Sequence, residues 1–199
     1  FILDGCIKCG KPIINYSLEE QSIDGCSYCL NKSFYFDKVI SCVEYTEISK
    51  KIVFGLKYNN KTYLSKYIAT IMKEKLDLEN IKFDYILFVP LHKKRLRQRG
   101  FNQAELLAKE LSRYAGIPVD TAILKKCHAT RSQKKLDAAE RKKNLQKAFQ
   151  VVGNPAGMRI LLIDDVYTTG STMDVLAKLL LEKGASHVYF LTLCIGNNR

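Results

Sequence analysis

Ile160-Leu161-Leu162-Ile163-Asp164-Asp165-Val166-Tyr167-Thr168-Thr169-Gly170-Ser171-Thr172 is the stretch that decides the fold. Four consecutive aliphatic residues read as a strand buried on both faces, as in a parallel sheet. Two adjacent carboxylates are expected to stop it, and a turn rich in hydroxyls and glycine follows. Beyond the turn, Met173, Leu176, Ala177, Leu180 and Leu181 recur at helical spacing along one apolar face, and Gly184 is placed to cap that helix. A strand that enters a helix through such a turn makes an anion cradle, because free backbone N–H groups converge at the helix start. The hydroxyls of Thr168, Thr169, Ser171 and Thr172 add donors, and Gly170 admits a close approach. Acids beside an anion cradle make sense when the ligand carries a phosphate and vicinal hydroxyls, since ionised Asp accepts from two O–H donors. A ribose 5-phosphate unit has that form. The plainer reading is a strand–turn–helix with two surface acids.

The stretch resembles the PRPP-binding motif of type I phosphoribosyltransferases. The resemblance implies an α/β fold with a mainly parallel sheet flanked by helices. It puts Asp164 and Asp165 on the ribose hydroxyls and Thr168, Thr169, Gly170, Ser171 and Thr172 around the 5-phosphate, with Mg2+ accompanying PRPP.

The chain of 199 residues is 47% hydrophobic and 26% charged, in the range of soluble globular proteins. No apolar run approaches the ~20 residues that cross a bilayer. No basic-plus-apolar segment opens the chain, so the cytoplasm is the expected location. Phe1 is not an initiator residue, and the N-terminus is expected to be trimmed or incomplete. The formal net charge is +12. Lys93 to Arg99 carries five cations without an acid, and Lys125 to Lys147 carries nine against Asp137 and Glu140. Together these account for the whole excess, which points to a polyanionic partner.

Cys6-x-x-Cys9-Gly10 and Cys26-x-x-Cys29 are paired elements at zinc-ribbon separation, and they predict a structural four-cysteine Zn2+ site. Gly10 and Gly25 relieve the crowded backbone beside them. Disulfides are disfavoured in the cytoplasm, and two pairs at this spacing argue against a redox role. Residues 1–33 are therefore expected to form a zinc element, with residues 34–199 as the main domain. Cys42, Cys127 and Cys194 read as core or semi-buried thiols.

Phe34 to Tyr45 reads as a hairpin and Ile48 to Tyr58 as a helix that Asn59-Asn60 breaks. A second helix shows Leu64, Tyr67, Ile68, Ile71 and Met72 on one face. Phe83 to Val89 is a strand that ends at Pro90. It runs into a basic loop, and a helix follows with Asn102 as cap, Glu105 as box partner and Ala104, Leu107, Ala108 and Leu111 as its buried face. Val119 to Leu124 and Ala148 to Val152 are further strands. Residues 128–136 read as a loop, Asp137 caps a helix, and His187 to Ile195 supplies the last strand.

The basic loop lies at the strand-end edge where open α/β sheets bind ligands. By the same resemblance it is the pyrophosphate loop, with Leu91, His92, Lys93 and Lys94 near the pyrophosphate. A solvated charge run or an exposed nucleic-acid patch are the other uses for it. The order of features over nearly the whole chain is similar to the ComF (ComFC) family: a four-cysteine front, Arg99-Gly100-Phe101-Asn102-Gln103, Arg131 with Gln133, and the acidic pair last. The family implies a zinc-bearing, phosphoribosyltransferase-like cytoplasmic protein of DNA uptake in natural transformation, with competence-machinery proteins as candidate partners.

Two functions follow as expectations. One is a PRPP-dependent transferase, in which Arg131, Lys134 and Lys135 of the polar loop, with His92 and Lys93, stabilise the departing pyrophosphate. Thr168 stands where purine-salvage relatives carry an Asp thought to act as base, and threonine cannot do that job. The other is a single-stranded-DNA-binding competence factor that keeps a PRPP site, with Arg95, Arg97, Arg99, Lys142 and Lys143 on the nucleic acid.

Overall fold

In a computed structural model the described residues are 1–13, 26–30, 32–128 and 144–196. Four parallel strands form the central sheet: β1 (Lys38–Glu44), β2 (Tyr85–Phe88), β5 (Arg159–Tyr167) and β6 (His187–Ile195), in the order β1-β6-β5-β2. An antiparallel ribbon of β3 (Leu124–Lys126) and β4 (Phe149–Val151) stands apart from it. The helices are α1 (Ser27–Leu30), α2 (Glu47–Tyr58), α3 (Leu64–Asp77), α4 (Lys93–Arg99), α5 (Gln103–Ala115) and α6 (Ser171–Glu182).

Alternation along the strands divides the core into two layers. Ile160, Leu162, Val188 and Phe190 pack with α6, the ribbon, Phe36 and the cysteine-bearing N-terminus. Leu161, Ile163, Leu191 and Leu193 pack against Val53 of α2, Met72 of α3 and Leu107 and Leu111 of α5. The expected buried faces of α5 and α6 are in place, with Ala104, Leu107, Ala108, Leu111, Met173, Leu176, Ala177 and Leu180 buried and Leu181 half-buried at the edge.

Several local expectations are corrected. Asp164 and Asp165 do not end their strand: β5 continues to Tyr167, because Asp164, Val166 and Tyr167 stay in register with Thr192, Cys194 and Ile195 of β6. Phe34 to Tyr45 is not a hairpin but a bend leading into β1, whose pairing with β6 buries Val39, Ile40, Ser41 and Cys42 in succession. Val119 contributes only a bridge to Ile86, and the following strand begins at Leu124. Tyr67 faces solvent, leaving Ile68 and Met72 to the core. Cys127 is exposed, whereas Cys42 and Cys194 are buried and burial pushes their thiols up to about 12 and about 11.

The basic run after Pro90 is not a loop. His92 caps α4 by accepting the Lys94 N–H on Nδ1 at 3.2 Å, and Gly100 ends it at φ +83°. The helix expected from Asp137 lies outside the described residues, apart from the helical residues 144–148.

Candidate functional site

A cleft of about 660 Å³ opens at the C-terminal edge of the sheet. Its floor is Asp164 and Asp165, and its walls include Pro90, Leu91, Arg95, Gln103, Lys126 and Thr168. A dimple of about 60 Å³ adjoins it, formed by Thr168, Thr169, Gly170, Ser171 and Thr172 between β5 and α6. Gly170 has φ +78°, and a Cβ there would stand 2.8 Å from the Tyr167 hydroxyl, so the turn closes only on glycine. Thr169 and Ser171 share a 3.0 Å hydroxyl hydrogen bond at the rim. The cradle's open N–H groups and hydroxyls suit a phosphate-sized anion.

The two acids differ in surroundings. Asp165 is 3% exposed, with the Lys57 ammonium of α2 against one carboxylate oxygen and Gln103 Nε2 of α5 donating to the other at 3.2 Å. Asp164 accepts the Asp165 N–H at 2.8 Å and faces the cleft. Burial, and then the neighbouring Asp165 charge, raise its carboxyl well above the usual carboxylate range. Asp164 is thus the acid that gains most from hydroxyl donors or a cation brought by a ligand.

Lys57, Gln103 and Lys126 are site residues that sequence reasoning missed. Lys57 ends a helix with no local signal of a role, and Lys126 sits on the ribbon. Burial, then the Arg95 guanidinium, hold the Lys126 ammonium below the ordinary lysine range, with Asp164 opposing them. The Arg99-Gly100-Phe101-Asn102-Gln103 string now has a physical account. Gly100 ends α4. Asn102 caps α5 through the Ala104 N–H and donates to the Val89 carbonyl at 3.0 Å, tying the Pro90 turn to that helix. Gln103 reaches Asp165, and Arg99 donates to Gln103 while lying over the Tyr58 ring.

Of the residues expected around the pyrophosphate, Leu91 lines the cleft, His92 caps α4, and Lys93 and Lys94 are exposed on it. Arg95 enters the cleft, and Arg97 stands exposed on α4. Arg131, Lys134, Lys135, Lys142 and Lys143 lie outside the described residues.

Cys6, Cys9, Cys26 and Cys29 come together, with all four Sγ atoms within 4.8 Å of one another. Cys6–Cys29, Cys9–Cys26 and Cys26–Cys29 are 3.9, 3.7 and 4.0 Å apart. A tetrahedral ion with bonds of about 2.3 Å needs edges of roughly 3.8 Å, so the cluster can hold a metal. Gly10, at φ +69°, is required beside it, since a Cβ would collide with the Val39 carbonyl oxygen. The Cys9 thiol, as hydrogen-bond partner, draws Cys6 down to about 4, and that sharing pushes Cys9 up. Burial pushes Cys29 up to about 12. A cation at the centre would let all four ionise. The cluster also touches the cradle: the Tyr28 hydroxyl of α1 donates to the Thr169 carbonyl at 3.1 Å.

The phosphoribosyl transferase domain family matches residues 97–199. The chain is 32% identical over 194 residues to the DNA utilization protein YhgH of Salmonella typhimurium, across 95% of this chain and 83% of that one. It is 32% identical over 192 residues to the competence protein ComFC of Bacillus subtilis, across 90% of this chain and 72% of that one. Among solved structures, the glutamine PRPP amidotransferase of B. subtilis, complexed with ADP and GMP, is similar at a TM-score of 0.46 and 20% identity, over 64% of this chain and 25% of that one. With its phosphoribosyltransferase domain and relatives along nearly its whole length, the chain belongs to the ComF family of phosphoribosyltransferase-fold proteins.

Proposed function

We propose that this protein binds PRPP with Mg2+ in the cleft and acts in DNA uptake, holding single-stranded DNA on the cations beside the cleft. One observation carries the PRPP reading: an anion-sized cradle, an acid whose charge is disfavoured, and a wall with Leu91 and Arg95 follow one another along the cleft and its adjoining dimple. A ligand with a 5-phosphate, a diol and a pyrophosphate matches that order. Mg2+ carried on the pyrophosphate would ease the charge that Asp164 meets, and Arg95 and Lys126 would face the remaining negative charge. The DNA arm is supported by the names of the relatives and by the exposed cations of α4. In the four-cysteine cluster the occupant is taken to be Zn2+, which supplies a structural cross-link and no open coordination position.

An active transferase is the second reading, and Lys126 favours it. Its amine stands in the cleft where Thr168 has no basic group, and its surroundings disfavour the ammonium form. Calorimetric titration with PRPP and Mg2+ tests the binding claim. One site per chain is expected, competed by ribose 5-phosphate and by pyrophosphate, and no saturable binding would end it. Pyrophosphate release on adding candidate nucleobases, lost in Lys126→Met, would select the transferase.

A further inference from the structure

Between Glu47 and Glu74 the chain carries six lysines and no acid, a basic segment that the near-neutral sum outside the two main cationic runs conceals. The structure folds it into α2, a turn and most of α3, and leaves its four aromatic side chains outside the core while Val53, Leu56, Ile68 and Met72 enter it. Phe54 is 54% exposed, Tyr58 61%, Tyr63 58% and Tyr67 67%. Lys51, Phe54 and Tyr58 fall at i, i+3 and i+7 on the outer stripe of α2, opposite the buried Val53 and Leu56. The Phe54 and Tyr58 rings touch, with centroids 4.8 Å apart. Tyr63 and Tyr67 lie one turn apart at the start of α3, with Lys66 exposed between them. Glu47, the one acid in α2, pairs with Lys50.

Two rings in contact, with Arg99 over one of them and Lys51 exposed on the same stripe, are what unpaired bases stack on while their phosphates are neutralised. The face also leads to the cleft. The Arg99 guanidinium lies 5.1 Å from the Tyr58 ring centroid, Arg99 bonds Gln103, and Gln103 holds Asp165. We infer that the outer face of α2 and the start of α3 form a stacking platform for single-stranded nucleic acid, continuous through Arg99 with the cations of α4. The inference rests on the DNA arm of the proposed function and assigns the bases to Phe54 and Tyr58, where that arm supplied only phosphate contacts. A duplex keeps its bases paired and stacked, so it gains nothing from these rings.

Fluorescence anisotropy with labelled dT20, rU20 and a 20-base-pair duplex tests it. Phe54→Ala/Tyr58→Ala should weaken dT20 binding about 10-fold or more at fixed salt. The slope against log salt should stay as in wild type, because no phosphate contact is removed. Tyr58→Phe, which keeps the ring, should bind as wild type, and duplex affinity should not respond to any of these changes. Since both side chains are exposed, an unchanged melting temperature serves as the folding control. Comparison of rU20 with dT20 distinguishes RNA from DNA as the strand held. If wild type binds dT20 and the double variant binds it equally well, the platform is overturned and the face is left to a protein partner, while phosphate binding on α4 stands. If wild type does not bind dT20 at all, the DNA arm of the proposed function falls together with the platform.

Discussion

Asp164 and Asp165 are neighbours in sequence with opposite electrostatic situations. Asp165 has Lys57 and Gln103 as partners, whereas Asp164 meets burial and its neighbour's charge. A carboxyl whose value is raised in the fold binds its proton more tightly there than in the unfolded chain. Its favourable contribution is therefore present at low pH and lost as pH rises through the raised value. At neutral pH, well above the value of a carboxyl in the unfolded chain, placing Asp164 in this site is a cost to the empty fold. Asp164→Asn, which keeps an oxygen to accept the Asp165 N–H, should raise the melting temperature of the ligand-free protein at pH 7 by about 2–4 °C. The gain should shrink as pH is lowered. A melting temperature that falls at pH 7 would contradict the electrostatic account. The gain in stability should accompany weaker ligand binding, as at other sites built for function.

At the scale of elements, α1 couples the four-cysteine cluster to the cradle. Tyr28 lies two residues after Cys26, its hydroxyl holds the Thr169 carbonyl, and the Lys11 and Lys32 ammonium groups flank its ring at 3.8 and 3.1 Å. Cys26→Ser should lower bound metal and speed proteolysis of the N-terminal segment, read by metal analysis and limited digestion. Tyr28→Phe should leave metal content intact and weaken PRPP binding about threefold, the worth of one hydrogen bond. Unchanged affinity would show that the cradle holds its shape without α1. The four-cysteine pattern was legible because its spacing is local, and so were the buried faces of α5 and α6. The course of β5 past the acids was not, because it depends on pairing with β6, and no local signal tells a carboxylate at a strand's end from one within it. The basic run after Pro90 likewise conceals a helix: its caps, His92 and Gly100, are local signals, but five cations in seven residues leave no buried apolar face to mark it.

For the whole molecule, the charge map places cations on α4, on the α2–α3 face and in the cleft wall. The sequence located the first. It missed Lys57, Gln103 and Lys126 because their meeting with the acids joins α2, α5 and the ribbon, which only the packed fold brings together. If a nucleic-acid strand follows the cations, log affinity should fall against log salt by about 0.7 per phosphate contacted. Replacing Arg95, Arg97, Lys142 and Lys143 with Ala should make that slope shallower by roughly 2.8, one contact for each. Coincident slopes would reduce these charges to a solvated surface.

The proposed function stands or falls with PRPP being held by the acidic pair and the cradle together. Isothermal titration of PRPP with Mg2+ into wild type and Asp164→Asn/Asp165→Asn tests it most directly. One saturable site is expected in wild type, with a loss of affinity of 10-fold or more in the double variant, since amide donors would then face ribose hydroxyls. Wild-type affinity in the double variant, with the fold intact by circular dichroism, would contradict it.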